Sequence, residues 1–389
     1  MGVKIIHTAD NHLDPVISRF KYRINERRQD FWRCFREIID YALKRKPDIF
    51  LIAGDLFDRV NPRNPPRVQL IRSFRSLYNA GVKVFIIGGH HDTPKSVEDG
   101  ASPIDELEAS GYVTYFSTRQ HTSVEHVHVN GLDVCISGAT YNFSLEGNAD
   151  PLQTVRPAIE GDVNIFLAHY NIEGFNISAK TSKDPIIRLS SIPKGLDYLA
   201  AGHLHRHQEK KVGDTLIVYP GSTERKSFLE ENDEKKGFIW LEFNENGIVN
   251  KEFVEVNARR MMTVKCNLEH CQGDPRSYIL KEVEKYNNPD LILRLQISGD
   301  VPLEILEKYR RDEILLELLN KFFLVVIDDS KLTFARMPEI RFIEQQTPID
   351  AFLSYINEII KKETDENKRK ILERAKEISE KYLREAGGW

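Results

Sequence analysis

DIFLIAGD, residues 48–55, is an apolar run that stops abruptly on a glycine and an aspartate. A run of this length without polar interruption predicts a strand buried on both faces. Two other stretches have the same shape. VKII (3–6) leads into DNH at 10–12, and VKVFIIGG (82–89) leads into GGHHD at 88–92. Helical patterns lie between them. Phe31, Phe35, Ile38 and Ala42 mark one helix face, and Val68, Ile71, Phe74 and Tyr78 mark another, closed by Gly81 at the C′ position. Ser102-Pro103-Ile104-Asp105 opens a third helix, with serine as cap and proline at N1.

Five further apolar runs follow with little helix between the later ones: DVCISGA (133–139), VNIFLAH (163–169), LDYLAAGH (196–203), TLIVYPG (215–221) and GFIWLEF (237–243). Crowded strands after alternating ones predict an α/β fold of four layers, an α/β/β/α sandwich over residues 1–250, with a plain doubly wound sheet as the alternative. Beyond it, MTVKCNLEH (262–270), LILRLQISG (291–299) and FFLVVIDD (322–329), with helical segments among them, predict a small α+β domain over 259–338. Thr347-Pro348-Ile349-Asp350 is a capping-box start for a terminal helix pair, 345–389. Phe352, Ile356 and Ile359 share one face of its first helix; Ile371, Ala375, Ile378 and Tyr382 share one face of its second.

Composition narrows the class. The chain has 389 residues, 41% hydrophobic and 29% charged, with net charge −4. That length predicts two or three domains. No stretch is apolar enough to span a bilayer, and MGVKIIHTAD lacks a basic segment followed by a long apolar one, so a cytosolic location is expected. The four cysteines are scattered and form no disulfide framework, and CNLEHC (266–271) is a weak zinc motif. A negative total does not exclude nucleic acid, because Arg and Lys concentrate in RFKYRINERR (19–28) and RVNPRNPPRVQLIRSFR (59–75).

The polar clusters at the strand exits carry the chemistry. In open α/β sheets, ligands bind in the crevice beyond the strands' carboxyl ends. Asp10, His12, Asp55, His90, His169, His203 and His205 all fall there. One histidine in such a place is usually structural; this whole set is a metal-ligand inventory. Residues i and i+2 of an extended segment point the same way, so Asp10 with His12, or His203 with His205, can address one ion. A carboxylate such as Asp55 suits a bridging role between two ions. Mixed imidazole and carboxylate donors favour Mn²⁺, Fe²⁺ or Zn²⁺ over Mg²⁺.

The order D-x-H, GD, G-[N]-H-D, lone His and GHxH resembles the calcineurin-like metallophosphoesterases. The wording HTADNHL, LIAGDLFD, GHLHR and VYPGSTER is similar to the DNA double-strand-break repair nucleases of the Mre-eleven/SbcD family, closely over residues 1–250. This resemblance implies two divalent ions, manganese foremost. Asp10, His12, Asp55 and His205 would hold one; Asp55, His90, His169 and His203 would hold the other. It implies His91 as the catalytic histidine, with Asp58 and Asp92 orienting imidazoles. It implies 3′-to-5′ exonuclease activity on duplex ends and endonuclease activity on single strands. It also implies a capping domain, a homodimer, and a coiled-coil ATPase of the Rad-fifty/SbcC type docked on 345–389. Arg19, Lys21, Arg23, Arg59, Arg63 and Ser222 flank the metal loops and are the expected DNA contacts.

One position departs from the pattern: His90 stands where the family has asparagine. It either ligates the second ion through imidazole, or weakens that ion and leaves a DNA- and partner-binding scaffold, or takes over from His91. A small-molecule or cyclic-nucleotide phosphodiesterase is the remaining alternative, which the arginine-rich segments and the C-terminal modules disfavour.

Overall fold

Among the described residues, the apolar runs become the central strands of two six-stranded sheets. The computed structural model describes residues 2–17, 23–117, 124–177, 183–232, 235–334 and 347–385. In the first sheet the order is Gly247–Glu255, Gly237–Asn244, Val3–Thr8, Ile49–Ala53, Lys83–Ile87, Thr114–Tyr115. In the second it is Gln208–Val212, Thr215–Tyr219, Tyr198–Gly202, Val163–His169, Leu132–Ala139, Val124–Val129. The four strands Val3–Thr8 to Thr114–Tyr115 run parallel, and so do the four central strands of the second sheet. Their carboxyl ends therefore open on a common edge.

The sheets pack face to face through Val3, Ile5, Leu51, Phe85 and Ile87 on one side and Ile136, Ile165, Leu167, Tyr198 and Val218 on the other. Fully burying side chains of this size contributes about 1.5–3 kcal/mol each. The outer face of the first sheet is covered by helices Ile24–Arg45, Asn64–Asn79 and Pro103–Ala109. Phe31, Phe35, Ile38 and Ala42 are buried as the periodicity predicts, and Ser102 Oγ caps the third helix by accepting from the Ile104 amide at 3.2 Å.

One expectation is revised. Helix Asn64–Asn79 buries Pro66, Leu70, Phe74 and Leu77, whereas Val68 and Tyr78 are exposed. Both stripes fit a helical period, and the two leucines win the core while Tyr78 keeps its hydroxyl in water against the Tyr112 ring. The outer face of the second sheet carries no α-helix among the described residues between 141 and 196. It is covered by 3₁₀ turns at Pro151–Gln153 and Leu189–Ser191 and a two-stranded ribbon, Asn171–Ile172 with Ile186–Ile187.

The small third sheet, Met261–Asn267, Asn288–Val301 and Phe322–Phe334, is wholly parallel. Its crossovers are helix Pro275–Glu284 and the pair Leu303–Lys308 and Arg311–Leu319. Cys266 and Cys271 are buried free thiols, Cys266 in this sheet and Cys271 in the turn after it, and burial pushes Cys266 up to about 12, so CNLEHC is part of that core. Met261, Ile292, Phe323 and Leu324 join the core beneath helix Ile24–Arg45.

A buried ionic knot reinforces this junction. Asp30 accepts from Arg27 Nη1 at 2.8 Å and from Arg259 Nε and Nη2 at 2.7 and 2.8 Å. Glu224 accepts from Arg27 Nη2 and from the Arg259 amide, at 3.3 and 2.9 Å. The Arg259 guanidinium lies 3.5 Å over the Phe323 ring.

Helices Pro348–Lys362 and Glu366–Glu385 close the described chain. The predicted capping box is present between Thr347 and Asp350. Ile349 and Ile356 are buried, but Ile371, Ile378 and Tyr382 are exposed along one face of the second helix. Among the described residues no helix is long and apolar enough to cross a membrane.

Candidate metal centre

The loop 9–13 and the loop 54–58 clasp each other before they present any side chain. The Asp10 amide donates to the Gly54 carbonyl, the His12 amide to Asp55 and the Leu13 amide to Leu56, at 3.1, 2.9 and 2.8 Å. This pairing holds Asp10, His12 and Asp55 at positive φ, 51°, 46° and 52°, and His203 lies at 101°. Non-glycine residues in that region are strained, and such strain clusters at functional sites. Gly54 is required: a Cβ there would stand 2.4 Å from His169 Nδ1.

Carboxylates and imidazoles from both sheets meet above this clasp. Ligand atoms of Asp10, His12 and His205 lie within 4.8 Å of one another, as do those of Asp10, Asp55 and His169, and those of His12, Asp58 and His91. His12 Nε2 is 2.9 Å from His205 Nε2; His169 Nε2 is 3.3 Å from Asp55 Oδ2 and 3.9 Å from Asp10 Oδ1. Asp55 divides its oxygens. Oδ1 accepts from the His91 amide at 2.7 Å, while Oδ2 faces His169 and, at 3.9 Å, His12 Nε2.

The opposite ring nitrogens are anchored, which aims each Nε2 inward. His12 Nδ1 faces Asp58 Oδ1 at 3.1 Å, His169 Nδ1 faces the Ala53 carbonyl at 2.8 Å, and His205 Nδ1 faces Glu230 Oε1 at 3.1 Å. Glu230, absent from the sequence expectations, is itself held by Ser222 Oγ at 2.9 Å and Lys236 Nζ at 2.7 Å.

Electrostatics follow from burial and these partners. Burial lowers His12 to about 4, with Lys226 adding to it. Burial also lowers His90 to about 4, so both imidazoles are neutral at pH 7 and have a lone pair to offer. Burial alone would lift Asp55, but His169 and His12 hold it well below the usual carboxylate range. Burial opposes protonation of His169, yet Asp55 raises it to about 9. Burial and the Asp55 charge push Asp92 up to about 7, and its oxygens accept from the Gly89 and Phe57 amides at 2.7 and 3.2 Å. Asp92 therefore shapes the GGHHD turn and, among the described residues, its carboxylate bonds to backbone amides and not to an imidazole. Asp58 does: besides His12, its carbonyl faces His91 Nδ1 at 3.1 Å, and its carboxylate pairs with Lys226.

Divalent cations fit this set. The donors are inward-facing imidazoles and carboxylates in mixture, and His169 Nε2 and His203 Nε2 are buried nitrogens that face only carboxylates, Asp55 and Asp184, each at 3.3 Å. His203 and His90 stand apart from the three convergent groups. His203 Nε2 is 3.3 Å from Asp184 Oδ2, while its amide donates to both Asp10 oxygens at 3.1 and 3.0 Å. His90 packs its ring on aromatic neighbours.

The expected DNA contacts divide. Arg19 and Lys21 lie outside the described residues. Arg23 lies 5.1 Å over the Phe323 ring. Arg59 and Arg63 remain partly exposed beside the cleft, each bonded to buried Asp14, at 2.8 and 2.7 Å. Ser222 is a correction: it is fully buried, and its hydroxyl supports Glu230 instead of reaching a phosphate.

The calcineurin-like phosphoesterase family model matches residues 3–207. The DNA double-strand break repair protein Mre11 of Methanopyrus kandleri is 28% identical over 333 residues, 80% of this chain and 72% of that protein. The protein of the same description from Methanocaldococcus jannaschii is 25% identical over 362 residues, covering 90% and 89%. That of Sulfolobus acidocaldarius is 26% identical over 322 residues, covering 81% and 78%. The matched segment carries both clasping loops and all the convergent ligands, from Asp10 to His205, and the chain belongs to the calcineurin-like phosphoesterases.

Proposed function

We propose that the chain is a metal-dependent DNA phosphodiesterase of double-strand-break repair. It would act as a 3′-to-5′ exonuclease on duplex ends and an endonuclease on single strands. The observation that carries the reading is the strained clasp that gathers Asp10, His12, Asp55, His169 and His205 at the common edge of both sheets. That the archaeal relatives are DNA double-strand break repair proteins supports DNA as the substrate.

Asp10, His12, Asp55 and His205 would hold one divalent ion, and Asp55, His169 and His203 the other, with manganese the ion the donor set suits. Such ions, when bound, would polarise the phosphoryl oxygens and supply an activated water. The protein's own groups do the rest. His91 has Nδ1 on the Asp58 carbonyl and Nε2 3.4 Å from Lys226 Nζ, and in this reading it would meet the scissile phosphate and its leaving oxygen. Arg59 and Arg63 offer cations to the backbone beyond.

In this reading residues 1–250 form the nuclease unit, 259–338 cap it, and the exposed stripe Ile371, Ile378 and Tyr382 docks a coiled-coil ATPase. A homodimer would use the exposed side of helix Asn64–Asn79, and the setting would be cytosolic. The test is cleavage of single-stranded and duplex DNA with manganese by the full chain and by Asp55→Asn. Manganese-dependent cleavage lost in the variant is expected. DNA left intact by the unmodified chain, alongside hydrolysis of a cyclic nucleotide, would overturn the substrate assignment.

A further inference from the structure

His90 occupies the place of a ligand but the surroundings of an aromatic contact. Its ring centre is 5.2 Å from Tyr141 at 89°, 5.3 Å from Phe143 at 49° and 6.4 Å from His203. Tyr141 and Phe143 follow the strand Leu132–Ala139, and their rings are 4.8 Å apart. Behind them Tyr141 stacks on Tyr170 at 5.0 Å and 23°. Tyr170 is fixed in turn: its hydroxyl accepts from the Asn142 amide at 2.8 Å, and its carbonyl accepts from Tyr219 Oη at 2.7 Å. The stack is thus a rigid wall with a buried rear, Tyr170 and Tyr141, and a half-buried front, His90 and Phe143. Exposed Lys95 places Nζ 5.4 Å from the Phe143 ring centre. His203 links the wall to the metal centre, its ring 5.3 Å from that of His169.

We propose that His90 and Phe143 form a shelf on which an unpaired nucleobase stacks beside the scissile phosphate, with Lys95 meeting an adjacent phosphate. The proposal rests on the phosphodiesterase reading and adds the part of the substrate that the metal centre does not hold. A π face next to a cation and a phosphoryl site matches one nucleotide group by group: base, backbone phosphate, scissile phosphate. Base stacking on aromatic side chains accepts any base, so the shelf favours single-stranded or frayed ends without reading sequence. It also accounts for the departure at position 90. An imidazole extends the aromatic front that Phe143 begins, which an asparagine cannot do.

The test is equilibrium binding of the full chain to two probes, an oligodeoxythymidine and an abasic backbone of equal length, by fluorescence anisotropy. Phe143→Ala should weaken the thymidine probe about ten-fold and leave the abasic probe unchanged. Phe143→Trp, which keeps a π face, should restore the preference. Equal weakening of both probes, or none, overturns the shelf. Manganese counted per chain should be the same for His90→Ala and the unmodified protein; an ion lost in the variant overturns the assignment of His90 to the shelf. Cleavage is scored separately. If the unmodified chain binds but does not cut, the phosphodiesterase reading fails while the ratio of the two probes still decides the shelf.

Discussion

Replacing Asp30 by alanine should unfasten the small parallel sheet from the sandwich. The carboxylate is 1% exposed and takes three short hydrogen bonds, from Arg27 Nη1 and from Arg259 Nε and Nη2, with Arg33 Nη1 also 2.9 Å away. Its removal leaves the fully buried Arg27 with Glu224 at 3.3 Å and the Arg225 carbonyl, and frees Arg259 from its hold above Phe323. Stranding a buried guanidinium in this way costs about 3–5 kcal/mol. At about 2–4 °C per kcal/mol for domains of a few hundred residues, the apparent Tm should fall by roughly 6–20 °C. Thermal unfolding followed by circular dichroism in metal-free buffer measures it. Because the pair is buried, the loss should persist at high salt. A fall of less than about 2 °C, or one that disappears in molar salt, would mean the knot behaves as a surface ion pair, and the reasoning fails.

Lowering the pH should act on the same knot. Arg259 and Arg27 hold the Asp30 carboxyl below its ordinary range although burial opposes them, and His205 with Lys236 do so for Glu230. A depressed folded pKa contributes stability above the unfolded value near 4 that is lost as pH falls through the folded one. The Tm of the unmodified chain should therefore drop below about pH 4, and Asp30→Ala should flatten that drop. Glu230→Gln keeps an acceptor for His205 Nδ1 but removes its charge, and should weaken manganese binding about 10–100-fold by titration calorimetry. Gly89→Ala would set a Cβ 2.2 Å from Asp55 Oδ1 and 2.4 Å from the Asp55 amide, and should abolish phosphodiester cleavage in a manganese assay. Lys226→Met removes the cation shared by Asp58 and His91, and should lower kcat at least ten-fold with the manganese count unchanged.

The central strands and the ligands at their exits were legible because burial on both faces leaves an unbroken apolar run, and because the polar residues follow it at once. The edges were not. Gln208–Val212, QEKKV, and Val124–Val129, VEHVHV, carry charge or histidine where alternation would be read, as solvent-facing edge strands do. The helix Asn64–Asn79 shows a second limit: its period was readable, but the choice between two apolar stripes needed the sheet beneath it. Glu230 and Lys226 were missed for a third reason. They follow the motif PGSTER without a pattern of their own, and only the return of that loop beneath His205 and beside His91 gives them a role. The small sheet's strands were read correctly, whereas their parallel pairing depends on crossovers that periodicity does not orient.

The positive φ angles at Asp10, His12 and Asp55 have an implication for how such a protein drifts under selection. Glycine would occupy these backbone positions at less cost, so folding alone would push the sequence toward it. Aspartate and histidine persist there only while something other than stability is being selected. A lineage relieved of the chemistry should lose these three side chains early and gain robustness in doing so. A library of variants ranked by heat resistance would then be enriched for inert molecules that keep both large sheets, the small parallel sheet and the helix pair intact.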